Sequence, residues 1–378
     1  MRYTVVIHMK LIIATPLYPP QIGGPATYAK TLEAELPKRG VSVVVTPFSS
    51  TENFPKYFRH FVYGYRLFQA SYGADIILAL DPVSVGLPAL VVSWLRAKPL
   101  VLRVPGDYAW EQGVQRFGVT DTLDEFVKNT ANRYLAQVGF LRTIQTFVAK
   151  RARHIITPSK YLKGIVHAWG IPEDKISAVY NAFDGIPELP SRDKLREELH
   201  MEGTSLVSAG RLVPWKGFSE LIDVVQALSA TVPVTLYIIG SGPDEQKLKE
   251  KVATLGLAKL VLLLGQLPQE VLMRYIKAAD CFVLNTGYEG LSHQLLEVMA
   301  LGTPIVTTPV GGNVEIITHE QSGLLATHND RDMLTASIRR MCTDAALRVT
   351  CVEGASQYVK GFTMTRMVDE TEALLKSI

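Results

Sequence analysis

The chain has few cysteines and no long apolar run. Its 378 residues include only three cysteines, Cys281, Cys342 and Cys351, without C-x-x-C spacing, which excludes a disulfide framework and a zinc site built on cysteine pairs. The longest apolar stretch, 83–95, has about 13 residues, whereas a membrane-spanning helix needs roughly 20. No small-residue cleavage site follows the apolar N-terminus, so we expect a strand there, no secretory signal, and a cytoplasmic protein.

The sequence also lacks a G-x-G-x-x-G motif after its first predicted strand, which disfavours a dehydrogenase that binds a dinucleotide. Charge is distributed unevenly. Residues 1–184 carry 21 Lys and Arg against 13 Asp and Glu, a net +8, whereas residues 185–378 carry 18 against 23, a net −5. The basic half indicates an anionic partner or membrane surface, although solvated cations explain it equally well.

Both halves alternate short β-branched runs with helical patterns, which predicts parallel sheets with crossover helices. The segment 184–190, with one glycine and two prolines, reads as a linker between two domains. We therefore predict an α/β protein with domains at 1–184 and 185–361, facing each other across a cleft. Residues 362–378 form a helix that either closes the second domain or packs back on the first. In such sheets ligands bind beyond the carboxyl ends of the strands.

The most informative motif is an E-x7-E pattern formed by Glu289 and Glu297. Glu289 lies in the loop after a predicted strand, and Glu297 lies two turns inside a helix predicted from Leu291 to Leu301. Eight residues of helix place the two carboxylates about 12 Å apart on one side. That span suits a sugar and a ribose joined by a diphosphate. The amides of Gly290, Leu291 and Ser292 lie between them at a helix N-terminus, where anions bind.

Together with G-T-P-I-V at 302–306, G-G at 311–312 and G-L-L at 323–325, this motif resembles the family 4 retaining glycosyltransferases of GT-B fold. The resemblance runs almost continuously from 208 to 326. It implies two Rossmann-like domains, with a nucleotide-sugar donor bound by the second one. It also implies that Glu297 binds the donor ribose, and that Glu289 with the amides of Gly290 and Leu291 holds sugar hydroxyls.

Further donor-binding residues follow the strands of the second half. The stretch Gly210-Arg211 to Lys216 comes after its first strand, where two cations can neutralise a departing diphosphate. The resemblance assigns Arg211 and Lys216 to that diphosphate. Gly240 lies in the next turn, where a glycine lets a nucleotide approach the backbone. In similar enzymes the backbone near Leu267 meets the base.

The first half offers fewer candidates. In similar enzymes the loop ending in Gly24 touches the donor phosphate and the acceptor. Many relatives place a histidine after the buried strand at 100–104, near the anomeric carbon, but this chain has Asp107 there, with Arg103 and Glu111 as the other polar candidates. Asp107 is therefore either a catalytic residue or the cap of a helix. The aromatic and basic segments 56–68 and 128–153 are compatible with membrane contact, with stacking on nucleic acid or with half-buried helices.

We expect a glycosyltransferase that moves a sugar from a nucleotide-sugar donor to a glycan or lipid-linked acceptor with retention. The resemblance implies Glu289, Arg211 and Lys216 as catalytic residues, no bound cofactor, no divalent metal, and no nucleic-acid partner. A nucleotide-sugar epimerase on the same scaffold, or a non-catalytic nucleotide-sugar or glycan-binding module, remains an alternative. The sequence does not identify the base, the sugar or the oligomeric state.

Overall fold

The computed structural model describes residues 9–21, 23–55, 58–129, 133–183 and 185–378. The chain divides into two compact units. The first unit runs to Asn181 and also contains Met364–Ile378, and the second unit is Ala182–Thr363. Asp184, at the predicted boundary, lies outside the described residues.

The first unit contains a parallel sheet of six strands within the described ranges, in the order β2-β1-β3-β4-β5-β6. Leu11, Ile12 and Ile13 of the first strand are fully buried, as expected for a strand covered on both faces. The strands are β1 (Met9–Thr15), β2 (Val41–Pro47), β3 (Ile76–Ala79), β4 (Leu100–Arg103), β5 (His154–Thr157) and β6 (Ile176–Ala178).

Helices connect these strands as crossovers, and the chain returns to this unit through its last helix. They are α1 (Gly24–Glu35), α2 (Arg59–Ala70), α3 (Gly86–Arg96), α4 (Tyr108–Arg116), α5 (Leu123–Lys128), α6 (Ala136–Arg151), α7 (Lys160–Ala168) and, from the C-terminus, α15 (Met364–Lys376). The hydroxyl of Tyr28 on α1 is 3.0 Å from the Oγ1 atom of Thr371 on α15, and both residues are buried. Of the two alternatives for the C-terminal helix, the structure shows packing on the first unit.

The second unit repeats the pattern with a sheet whose six described strands follow the order β12-β11-β10-β7-β8-β9. Its strands are β7 (Thr204–Ala209), β8 (Val234–Ile239), β9 (Val261–Gly265), β10 (Cys281–Leu284), β11 (Ile305–Thr307) and β12 (Leu324–Leu325). Its helices are α8 (Arg192–Glu198), α9 (Phe218–Ser229), α10 (Glu245–Thr254), α11 (Gln269–Ala278), α12 (His293–Leu301), α13 (Arg331–Thr343) and α14 (Ala345–Val359).

Two helix predictions need correction. The pattern at 122–151 predicts one helix, but α5 ends at Lys128 because Asn129 takes an extended backbone, and α6 begins at Ala136. The helix predicted from Leu291 begins instead at His293, because the hydroxyl of Ser292 accepts a hydrogen bond from the Leu295 amide at 3.2 Å and caps it. Glu297 therefore lies about one turn inside α12, and not two.

Within the described ranges, no helix combines the length and apolar character needed to cross a bilayer.

Candidate functional site

The second sheet has a switch point between β7 and β10. These two strands are neighbours, but the chain leaves β7 toward β8 and β9 and leaves β10 toward β11 and β12 on the other side. The connections after the two strands therefore diverge and leave a crevice at the carboxyl ends, which is where open α/β sheets bind ligands. The segments that line this crevice are 210–217 after β7 and 285–292 after β10.

An ion pair joins these two segments. Lys216 Nζ donates a hydrogen bond to Glu289 Oε2 at 2.5 Å, and only 14% and 17% of the two side chains are exposed. The pair thus places a cation and a carboxylate of predicted function side by side. In a partly desolvated site, such charges act more strongly on a ligand than they would in water.

Hydrogen bonds around the pair fix the position of segment 210–217 relative to segment 285–292. The Gly287 amide donates to the carbonyl of Trp215 at 2.6 Å. Asn285, which is almost fully buried, donates from Nδ2 to the Gly217 carbonyl at 3.0 Å, and its Oδ1 accepts from the Asn329 amide at 3.0 Å. Sequence reasoning missed Asn285 as a positioning residue. Its place directly after a buried strand was the available signal.

At two positions beside the crevice, the backbone of another segment lies so close that only glycine fits. Gly311 has φ of 55°, and a Cβ atom there would lie 2.0 Å from the carbonyl oxygen of Glu289. A Cβ at Gly240, in the turn after β8, would lie 1.9 Å from the carbonyl oxygen of Gly210. Any side chain at either position would displace the neighbouring turn. The observed backbone positions of Gly210 and Glu289 therefore depend on these two glycines.

The remaining predicted donor residues lie around this crevice. Arg211 is exposed, and its guanidinium group makes no hydrogen bond or ion pair with any described residue. Glu297 accepts a hydrogen bond from Gln269 Nε2 at 2.7 Å, which ties α12 to the start of α11. Leu267 is half-buried in the turn between β9 and α11. Gly290, Leu291 and Ser292 form the turn that leads into α12, so they occupy its N-terminal end as expected.

Asp107, in the first unit, caps the N-terminus of helix α4. It is completely buried, and it accepts hydrogen bonds from the Trp110 amide at 2.9 Å, from Gln145 Nε2 at 3.0 Å and from Trp169 Nε1 at 3.1 Å. Burial raises the pKa of this carboxyl group, and the hydrogen bonds oppose that shift. This geometry favours the cap interpretation of Asp107 over the catalytic one.

Arg103 and Gly24 complete the candidates in the first unit. Arg103 ends β4 and is almost fully buried, with its guanidinium 3.7 Å from the ring centroid of Tyr28 and its Nη2 2.6 Å from Asn181 Oδ1. Burial lowers the pKa of Arg103. Gly24 is the first residue of α1 and is exposed, in a helix whose first turn carries no acidic residue. Glu111 lies in the first turn of α4.

Comparison with known proteins gives one family model for each half of the chain. Glycosyltransferase Family 4 matches residues 22–184, and Glycosyl transferases group 1 matches residues 191–358. The lipopolysaccharide core biosynthesis glycosyltransferase LpsD of Rhizobium meliloti is 28% identical over 254 residues, 67% of this chain and 69% of that protein.

A second similar protein is the UDP-Gal:alpha-D-GlcNAc-diphosphoundecaprenol alpha-1,3-galactosyltransferase of Escherichia coli. It is 29% identical over 209 residues, which are 53% of this chain and 54% of that enzyme. The chain spans about half the length of most curated relatives that it matches.

Among solved structures, Anabaena HepE in complex with UDP and glucose aligns with a TM-score of 0.76 at 20% identity, over 98% of this chain and 100% of that one. This likeness confirms the predicted GT-B fold of two Rossmann-like units.

Proposed function

The chain belongs to the group 1 and family 4 glycosyltransferases, and from that membership we propose that it transfers a sugar from a nucleotide-sugar donor to a glycan or lipid-linked acceptor. One observation supports this activity above the others. The Lys216–Glu289 pair and the exposed Arg211 stand at the switch point of the second sheet, where a bound diphosphate would meet two cations beside a carboxylate that can orient a sugar.

In this proposal each residue at the crevice has one task. Arg211 and Lys216 neutralise the charge that develops on the leaving diphosphate, so that no divalent metal is required. Glu289 orients the sugar hydroxyls, and Glu297 binds the ribose hydroxyls. The rest of the donor is met by backbone groups of the second unit, namely those of Gly210, Gly240, Leu267, Gly290, Leu291 and Ser292.

We further propose that transfer retains the configuration at the anomeric carbon. The leaving phosphate would depart from the same face on which the acceptor arrives, and it would take the acceptor's proton as the new glycosidic bond forms. In this scheme no enzyme carboxylate is needed as a covalent nucleophile. The pairing of Glu289 with Lys216 supports an orienting and electrostatic role for that carboxylate.

The acceptor side of the proposal is a glycan or a lipid-linked intermediate of polysaccharide synthesis. The E. coli relative takes its name from a diphosphoundecaprenol-linked acceptor, which supports the lipid-linked option. With such an acceptor, the enzyme would work in the cytoplasm at the inner face of the membrane, and its basic first unit would contact that membrane.

Thermal unfolding with UDP, GDP or ADP, each with and without magnesium, tests the donor site. A nucleotide that binds the native state raises the melting temperature. We expect a shift with one nucleotide that is independent of magnesium and is lost in Arg211→Ala. The matched control is Arg339→Ala, which removes another exposed arginine of the second unit from α13. The absence of any shift, or an equal loss in the control, would contradict the proposal.

Product analysis separates this activity from an epimerase. An epimerase releases an epimer or a free sugar without an acceptor, whereas a transferase needs the acceptor for turnover beyond slow hydrolysis. A binding module would show the thermal shift without consuming the donor. Chromatography of donor incubated with and without membrane-lipid extract therefore distinguishes the three functions.

A further inference from the structure

The first unit exposes a group of aromatic side chains on α2 and just after it. Phe61, Tyr65 and Tyr72 are 77%, 63% and 75% exposed, and the half-buried Phe68 falls between them. Their spacing of four, three and four residues places them on one side of a helix. Tyr63 and Leu67, which are fully buried, occupy the opposite side. The core therefore accounts for one side of α2, while Phe61, Tyr65 and Tyr72 on the aromatic side remain exposed.

This surface continues onto the neighbouring helices. Helix α3 packs against both α2 and α6, and its residues Val91, Trp94 and Leu95 are exposed. The Trp94 ring lies 6.2 Å from the Phe147 ring of α6, centroid to centroid. We call the combined surface the aromatic face, formed by Phe61, Tyr65, Tyr72, Trp94, Leu95 and Phe147. Exposed apolar side chains gathered on neighbouring helices in this way mark an interaction site.

Only positive charge accompanies the aromatic face on its own helices. The sequences of α2, α3 and α6 contain no Asp or Glu. Arg96 lies 3.7 Å above the ring of Phe68, and Arg151 lies 3.7 Å above the ring of Phe147. The guanidinium groups thus cover two half-buried rings next to the exposed ones. Aromatic and aliphatic side chains with cations among them are the composition of surfaces that lie in the boundary of an anionic bilayer.

We propose that the aromatic face binds the surface of a bilayer that contains anionic lipid, with the rings of Phe61, Tyr65 and Trp94 inserted among the headgroups. The arginines beside the rings then meet the lipid phosphates. This proposal specifies a surface for membrane contact. It does not depend on the donor site, which lies in the second unit.

The same charges disfavour two other occupants. A second copy of the chain packed face to face would bring cations against cations, which weakens association. A nucleic acid would satisfy the arginines and could stack on the rings, but it would leave the aliphatic Val91 and Leu95 without an apolar partner. A bilayer provides both phosphate and hydrocarbon, so it suits every side chain of the face.

Vesicle sedimentation of the full chain tests the proposal. One set of vesicles is phosphatidylcholine alone, and the other has phosphatidylglycerol as one third of the lipid. We expect binding to the anionic set and at least about tenfold weaker binding for Phe61→Gln/Trp94→Gln, because both rings leave the interface. Raising the salt from about 0.1 M to about 1 M, which shortens the Debye length from about 10 Å to about 3 Å, should also weaken binding. The matched control, Val349→Gln, alters an exposed apolar residue of α14 and should bind like the wild type.

Tryptophan fluorescence adds a readout at the face itself. Of the four tryptophans, Trp94 is 55% exposed, Trp110 and Trp169 are buried, and Trp215 is half-buried in the second unit. Anionic vesicles should therefore shift the emission to the blue and protect it from acrylamide. In Trp94→Phe, which keeps an apolar ring at the face, sedimentation should persist while the shift disappears.

Four results would overturn the proposal. They are no binding to either set of vesicles, equal binding by Phe61→Gln/Trp94→Gln, a dimer in solution that this double variant dissociates, and a nucleic acid that binds the face while vesicles do not. Nucleotide-dependent thermal shifts measured on the same double variant should match the wild type. This comparison distinguishes a failure of the donor-site proposal from a failure of the membrane-binding proposal.

Discussion

Lys216 and Glu289 lie 73 positions apart in the sequence, and their side chains meet at 2.5 Å across the switch point of the second sheet. The contact links the two segments that carry the predicted donor-binding residues. It also gives the carboxylate a counter-ion, which would allow Glu289 to lie beside the proposed diphosphate site without repelling the ligand.

The two members of this pair should respond differently to substitution. Lys216→Met should weaken nucleoside diphosphate binding about 10- to 100-fold, as expected when a charge-assisted hydrogen bond of about 1.5–3 kcal/mol is lost. Glu289→Gln should bind the diphosphate at least as tightly as the wild type, because the negative charge beside it is removed, but sugar transfer should fall about 100-fold or more. Calorimetric titration and a transfer assay measure the two effects. Equal loss of diphosphate affinity in both variants would mean that the pair only supports the fold.

Asp107→Asn should affect stability and not chemistry. Asparagine keeps an oxygen for the Trp110 amide and for Gln145, but its amide group would face the Trp169 indole N–H, so two donors would meet. We expect a loss of about 1–3 kcal/mol in the free energy of unfolding, the usual cost of an unsatisfied buried group. Urea unfolding measures that loss, and transfer per folded molecule should stay unchanged. A loss of transfer in a variant that folds as stably as the wild type would restore the catalytic interpretation.

Gly311→Ala should disrupt the donor site through the backbone of Glu289. The new Cβ would meet the Glu289 carbonyl oxygen at 2.0 Å, so the turn after β10 must move. We expect a stability loss of about 3 kcal/mol and no nucleotide-dependent thermal shift. Gly256→Ala is the control, since Gly256 also has a positive φ but nothing lies within 4 Å of its added Cβ. That variant should lose only about 1 kcal/mol and keep the shift; the prediction fails if both variants behave alike.

Buried Asp81 should make stability depend on pH. Asp81 accepts two backbone hydrogen bonds at 2.6 Å and one from the Ser84 hydroxyl, yet burial raises the pKa of its carboxyl group above the ordinary 3.8. Between the unfolded and the folded pKa, the native state binds more protons than the unfolded chain. The free energy of unfolding therefore falls as pH rises through that window.

Asp81→Asn removes this titration while it keeps an oxygen for the two amides. We expect the stability of the variant to decline less than that of the wild type as pH rises above 3.8, the ordinary pKa of the carboxyl group. Urea unfolding at several pH values measures the difference between the two slopes. Parallel slopes would show that Asp81 stays ionised in the native state.

Much of the fold could be predicted because its signals are local. The β-branched run at 41–47 predicts a strand, and the spacing of apolar residues at 269–278 predicts a helix. Strand β2 (Val41–Pro47) and helix α11 (Gln269–Ala278) have these bounds, because each pattern lies within one short segment. The break between α5 and α6 was missed because periodicity continues through it, and only the extended backbone of Asn129 reveals the end of α5.

At the site, the residues that follow the strands of the second sheet can be identified from the sequence, since turn glycines and the E-x7-E spacing are properties of short segments. The contact between Lys216 and Glu289, and the hydrogen bonds from Trp110, Gln145 and Trp169 that enclose Asp107, appear only in the folded chain. The same holds for the exposure of Phe61 and Tyr65 on α2. Each of these depends on contacts between segments distant in the chain. Such contacts follow from strand order and side-chain packing, and neither leaves a periodic trace in the sequence.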